Sequence, residues 1–295
     1  MSPDKSMIAM ELLQETLKAV IFTGCLAGTV PLSVILVGPP GTGKSKAMLQ
    51  FCSPSLHVTN DVTTSGLSDI INDDKAGLVR HIVIPDFNIV VSHKAATTNL
   101  TVANLLTLTS EGSVRIDDGR RQKELKHAPI GIITAMTREV YEEHAKRFRK
   151  LGIGRRFTPL FFNYGLPTRI SIQKEISNGG VTLEQLLPYP VVLPPPPCWP
   201  VKINIEEKES DRLRELSREM SENLSYQPRW EREDGNYVIR PFRGTSPLEF
   251  TPHMVLRTLA QGRALSDRKI RVHAEDVDFV MEVVRFTNYG VPVQL

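Results

Sequence analysis

Residues 38–45 read Gly-Pro-Pro-Gly-Thr-Gly-Lys-Ser, and their types and spacing point directly to chemistry. Gly38, Gly41 and Gly43 let the backbone curl so that its N–H groups converge on a polyphosphate, with Pro39, Pro40 and Thr42 completing the loop. Lys44 would reach β- and γ-phosphate oxygens, Ser45 would offer its hydroxyl to Mg²⁺, and Lys46 closes the binding segment. An apolar run precedes the loop and a helical pattern follows it, which is the strand–loop–helix setting such a phosphate loop needs. The expected ligand is a nucleoside triphosphate.

A second acidic position falls in place behind it. Residues 81–85 (HIVIP) read as a buried strand that delivers Asp86 at its C-terminal end. Ligands of parallel α/β sheets gather at the C-terminal ends of the strands, so Asp86 is placed to face the loop and hold Mg²⁺.

The elements that must position these residues follow from periodicity. Residues 7–22 carry Ile8, Leu12, Leu13, Leu17, Val20 and Ile21 at helical spacing. Residues 33–37 form the first buried strand, 44–51 begin the helix after the loop, and 56–58 are a weak second strand leading into a polar loop over 59–68. A helix over 101–109 precedes a hairpin turning at Asp118-Gly119. Residues 130–135 are the fourth strand, 139–151 a charged helix, 152–156 a glycine-rich loop and 157–163 the fifth strand. This alternation predicts an α/β domain of three αβα layers around a five-stranded parallel sheet over residues 1–168.

Composition then changes. Residues 187–200 hold seven prolines and read as a stiff extended spacer within a linker over 169–205. Beyond it come a charged helix over 206–224, a hairpin or irregular loop over 230–243, and helices over 251–265 and 274–286 joined by a strand-like 270–272. Residues 206–295 therefore read as a small, mainly helical domain, its last helix opened by acidic Glu275 and Asp276.

A chain of 295 residues can bury a substantial core, and a formal charge of +3 is too small to argue for nucleic acid by itself. Cys25, Cys52 and Cys198 are too far apart in sequence to suggest a disulfide framework or zinc site, and the seven histidines show no metal spacing. No charged residue occurs over 19–43, but Gly24, Gly28, Pro31, Pro39 and Pro40 interrupt that stretch, and no signal-peptide layout precedes it. The reading is a soluble, cytoplasmic protein without a membrane segment.

Taken in order, these motifs resemble the AAA+ ATPases, most closely the branch of MoxR-type ATPases, enhancer-binding activators and minichromosome-maintenance helicases. GPPGTGKS (38–45) matches Walker A, and IVIPDFN (82–88) falls at Walker B, with Asp86 as its aspartate. NLLTLTSEGSVRI (104–116) resembles the family's helix before a hairpin, and IITAMT (132–137) its sensor-1 strand, with Thr137 at the sensor position. GIGRRF (152–157) resembles the arginine-finger segment, with Arg156 favoured over Arg155. Residues 250–277 resemble the lid helices that carry sensor 2, the role falling to Arg257 or His253.

The resemblance implies ATP and Mg²⁺ as ligands and a homo-oligomeric, hexameric ring with Arg156 acting on the neighbouring subunit's ATP. It further implies an unidentified protein client or adaptor. One departure bears on activity: the family's water-polarising glutamate after the Walker B aspartate is Phe87 here, which cannot act as a base. Asn88 and Glu111 lie near it in the pattern, and neither is placed at a γ-phosphate by the sequence. Three functions therefore stay open: an ATP-hydrolysing remodeller, an ATP-dependent assembly switch with little or no turnover, and a DNA-associated motor. The last would use the basic run Arg115, Arg120, Arg121, Lys123 and Lys126 on the 115–126 hairpin.

Overall fold

The computed structural model of the chain describes residues 10–74, 77–117, 122–177, 191–193, 197, 200–233, 236–243, 250–287 and 293–294. Helix α1 (Glu11–Thr23) leads into β1 (Ser33–Val37), followed by α2 (Lys44–Leu49), β2 (Phe51–Cys52), β3 (Leu56–Val58) and α3 (Thr64–Asp73). Then come β4 (His81–Ile84), α4 (Phe87–Ser92), α5 (Ala95–Glu111), the hairpin β5 (Ser113–Asp117) and β6 (Gln122–Lys126), and β7 (Gly131–Met136). The chain continues through α6 (Arg138–Leu151), the single turn α7 (Ile153–Arg156), β8 (Phe157–Asn163), α8 (Leu166–Ser177) and β9 (Val191–Val192). It ends with α9 (Glu207–Ser225), the hairpin β10 (Tyr226–Glu233) and β11 (Asn236–Arg243), α10 (Phe250–Ser266), α11 (Ala274–Val284) and β12 (Val293–Gln294).

Strands β3, β4, β7, β1 and β8 lie side by side in that order and pair in parallel, giving the α/β sheet expected. These are the five parallel strands expected, and the two-residue β12 adds to them, pairing in parallel with Phe162 and Asn163 at the β8 edge. Two residues carry no periodic signal, so nothing in the sequence marks it.

Side-chain alternation divides the sheet between two cores. Val34, Leu36, Val83, Ile133, Ala135, Leu160 and Phe162 pack on one face with α1, α2 and buried residues of α9, α10 and α11. Ile35, Val37, Ile82, Ile84, Ile132, Met136 and Phe161 pack on the other with α3, α4, α5 and α6. Helices thus cover both faces, as strands that are apolar on both sides require.

Several segments differ from the sequence expectation, among them α8, which runs from Leu166 to Ser177 into the stretch read as linker. The polar loop over 59–68 is half helix: Thr63 caps α3 by accepting from Gly66 N at 3.1 Å, and Leu67, Ile70 and Ile71 bury one face. The glycine-rich loop over 152–156 is a helical turn entered through left-handed Gly152 (φ 81°). The helix after the phosphate loop stops at Leu49, because Phe51 and Cys52 turn into β2.

The proline-rich segment docks where it is described. Val191 N donates to Gln50 O at 2.7 Å, Leu193 N donates to Cys52 O at 3.0 Å, and Leu193 is buried. Further on, Val201 bridges to Leu26 and Asn204 to Arg271. The C-terminal helices are anchored by the α1–α10 crossing, where Gly262 lies against the backbone of Ala19, flanked by ion pairs Arg263–Glu15 and Lys18–Asp267. Among the described residues no helix is long and apolar enough to cross a membrane.

Candidate functional site

The phosphate-loop residues sit at the C-terminal edge of the sheet. Strand β1 ends at Val37, paired with Met136 at the end of β7. Gly38 N then points to Met136 O at 3.5 Å, so the loop leaves the sheet between β7 and β8. Chain order reverses around β1, since its next connection runs toward β3 whereas β8 lies on its other side. Such a switch point is where open α/β sheets offer a crevice for ligands.

Loop conformation follows from its glycines. Gly41 and Gly43 take positive φ of 74° and 75°, which favours glycine, and Gly43 caps α2. Gly38 is required for another reason: a Cβ there would stand 2.9 Å from Phe162 O, too close to backbone to be accommodated. Pro39 and Pro40 shape the entry, and Thr42 Oγ1 donates to Pro39 O at 2.8 Å, tying the loop across its own base.

Lys44 Nζ donates to Gly38 O at 2.9 Å and Pro39 O at 2.6 Å, so the ammonium is folded back on the loop carbonyls. Burial pushes its pKa below the ordinary lysine value, while the carboxylates of Asp86 and Glu139 oppose that shift. Ser45 Oγ donates to Pro85 O at 3.1 Å, which sets the hydroxyl beside the residue preceding Asp86. Lys46 is half-buried on the same helix.

Asp86 leaves the end of β4 in extended conformation and caps α4, its carboxylate accepting from Asn88 N at 2.9 Å. A hydroxyl and a carboxylate from two adjoining segments are hard oxygen donors of the kind Mg²⁺ takes, so the donor set here fits that ion. Thr137 lies at the end of β7 on the same edge, where Val140 N donates to its Oγ1 at 3.4 Å and Tyr141 N to its O at 3.0 Å. The structure therefore brings Gly38 through Lys46, Asp86 and Thr137 to one edge.

No hydrogen bond or ion pair among the described residues joins the other two predicted residues, Arg156 and Arg257, to that edge. Arg156 is exposed at the end of α7, immediately before Phe157, which pairs with Ser33 at the start of β1. It stands at the N-terminal edge, with the sheet between it and the phosphate loop of its own chain. Arg257 is exposed on α10 and has no hydrogen bond or ion pair among the described residues; His253, one turn earlier, is half-buried with Nδ1 unpartnered.

Phe87 turns into the core: it is 1% exposed and meets Phe148 edge-on at a centroid distance of 6.4 Å. The position after Asp86 thus faces away from the loop. Asn88 donates its N–H to Asp86, and its own Oδ1 is buried without a partner. Glu111 ends α5 beside left-handed Gly112, and Leu108 of that last turn accepts from Ile130 N, just before β7 begins. Glu111 is therefore at the edge opposite the loop.

The base of the β5–β6 hairpin is held at that opposite edge by His127 Nε2 and Asp74 Oδ2, 3.0 Å apart and each only 7% exposed. Asp74 also accepts from Leu78 N and Val79 N, both at 2.8 Å. Burial would raise its pKa, but these backbone bonds together with His127 bring the net shift below the usual value. The hairpin tip at 118–121, with Arg120 and Arg121, lies outside the described residues, as do the side chains of Arg115 and Lys123.

Sequence reasoning passed over Glu139, which it counted only as the first residue of a charged helix. The available signal was an acidic residue in the helical turn directly after a strand that borders β1. No protein-family model matches this chain, and no curated protein does.

Proposed function

We propose that this chain is an AAA+-type ATPase that binds Mg²⁺–ATP at the C-terminal edge of its sheet and couples turnover at subunit interfaces to work on a client in a ring. One observation carries the reading. A loop with left-handed Gly41 and Gly43 runs from the switch-point strand β1 into α2 and sets Lys44 and Ser45 opposite the strand-end Asp86.

In this reading the loop N–H groups hold the phosphates, and Lys44 exchanges the carbonyls of Gly38 and Pro39 for phosphate oxygens. Ser45, through its hydroxyl, and Asp86 would hold Mg²⁺, which would supply positive charge against the phosphates. Arg156 serves the site of a neighbouring subunit, and Arg257 or His253 reports phosphate to the α9–α11 lid.

The burial of Phe87 favours a second reading, an ATP-dependent assembly switch with little turnover, because no carboxylate follows Asp86. Calorimetry with ATP and steady-state phosphate release, on wild type and Lys44→Ala, test both. The ATPase reading expects wild-type binding and turnover that Lys44→Ala abolishes. Binding with equal phosphate release by the two proteins would leave the switch, and no binding by wild type would remove both.

A further inference from the structure

We infer that Glu139 holds and deprotonates the water that attacks the γ-phosphate, supplying from the end of β7 the carboxylate that is missing after Asp86; this rests on the ATPase reading above. Phosphoryl transfer to water needs a group that orients the nucleophile and accepts its proton. The first turn of α4 offers none. Phe87 is buried against Phe148, Asn88 has no ionisable group, and Ile89 is apolar. Asp86 already accepts from Asn88 N and belongs to the metal donors.

Strand β7 brings the alternative. Strands β1 and β7 end in register at Val37 and Met136, and the loop's first N–H points at Met136 O. Helix α6 starts at once, capped by Thr137, which puts Glu139 three residues beyond Met136 in the helix's first turn. Its neighbours there are engaged, Arg138 Nε donating to Glu142 Oε1 at 2.7 Å, whereas Glu139 is exposed and has no ion pair among the described residues. Its carboxylate is close enough to the Lys44 ammonium for their charges to interact.

Other nearby acids are accounted for. Glu111 is at the far edge, and Asp61, three residues beyond β3, faces His93 Nε2 at 3.3 Å. In the step that Glu139 serves, the water oxygen bonds to the γ-phosphorus while the bond from that phosphorus to the β–γ bridging oxygen breaks. The bridging oxygen leaves on ADP with the electron pair. The water proton passes to the Glu139 carboxylate, which afterwards returns it to solvent.

Glu139→Gln keeps the shape and removes the base, and as an exposed substitution it should leave the thermal midpoint close to that of wild type. It should lower phosphate release by about 10²-fold or more, with Glu139→Asp between the two. Calorimetry with a non-hydrolysable ATP analogue should give a Kd within about twofold of wild type, since the lost group acts in the transition state. After incubation with Mg²⁺–ATP and rapid desalting, chromatography should find ADP on wild type and ATP on Glu139→Gln. Analogue binding by wild type, together with Glu139→Gln turnover equal to wild type or ADP on both proteins, would overturn the role of Glu139 alone. Binding without turnover by wild type would also overturn it. Failure of wild type to bind the analogue would instead remove the underlying ATPase reading.

Discussion

A buried imidazole sets an acid limit on this fold. His81 opens β4 with no exposed surface; its Nε2 lies 3.1 Å from Leu32 O and its Nδ1 has no partner. Burial pushes its pKa from 6.5 down to about 4; the Leu32 carbonyl works against that shift and the Arg80 charge adds to it. The native state then binds this proton less readily than the unfolded chain does. The stabilisation is complete above about pH 6.5, is lost as pH falls toward 4, and amounts to about 3 kcal/mol at the limit. Urea midpoints across that range should fall in wild type and fall less steeply in His81→Gln. At the other end of the sheet, Phe87→Glu would place a carboxylate between Phe148 and the strands. It should cost about 3–5 kcal/mol through lost packing alone, more for the buried charge, and should not raise turnover above wild type. Thermal melts and phosphate release check the two halves of that outcome.

At the scale of elements, the docking of the C-terminal helices depends on a close helix crossing. A Cβ at Gly262 would run into Ala19 O and stand 2.7 Å from Thr23 Cγ2. Gly262→Ala gains about 1 kcal/mol of helix propensity but overpacks the contact by about 1–3 kcal/mol. A net loss in denaturant stability is expected, with faster amide exchange in α10 than in β7. Gly262 also shows what the sequence could and could not give. A glycine inside a helical pattern is visible as an anomaly, but its partner at Ala19 is more than two hundred residues away. The sheet was legible because its strands are short apolar runs ending at recognisable residues, Gly38 and Asp86 among them. Helix α3 was not, although Leu67, Ile70 and Ile71 have helical spacing, because threonine and serine around Thr63 read equally well as a loop. Of the site, Lys44, Ser45 and Asp86 announced themselves by motif and strand end. Glu139 did not, because only the pairing of β1 with β7 brings it to Lys44.

The whole molecule places two of its candidate phosphate cations, Lys44 and Arg156, on opposite edges of one sheet. Lys44 follows the end of β1, and Arg156 precedes Phe157, the partner of Ser33 at the beginning of β1. Five residues of strand put the two edges about 13 Å apart or more, with packed helices on both faces. Arg156 therefore cannot serve its own Lys44, and its exposed guanidinium is available to another copy. In the ring we propose, each active site takes Lys44 from one subunit and Arg156 from the next, a heterologous contact that closes by rotation. Lys44→Ala and Arg156→Ala should each abolish most turnover, the latter by about 10³–10⁵-fold. Mixing them in equal amounts should restore it. Half of the sites then have an intact Lys44, and half of those receive an intact Arg156, so random assembly gives about one quarter of wild-type turnover. Subunits acting alone would give the sum of two inactive proteins, and the phosphate released by the mixture separates the two arrangements directly.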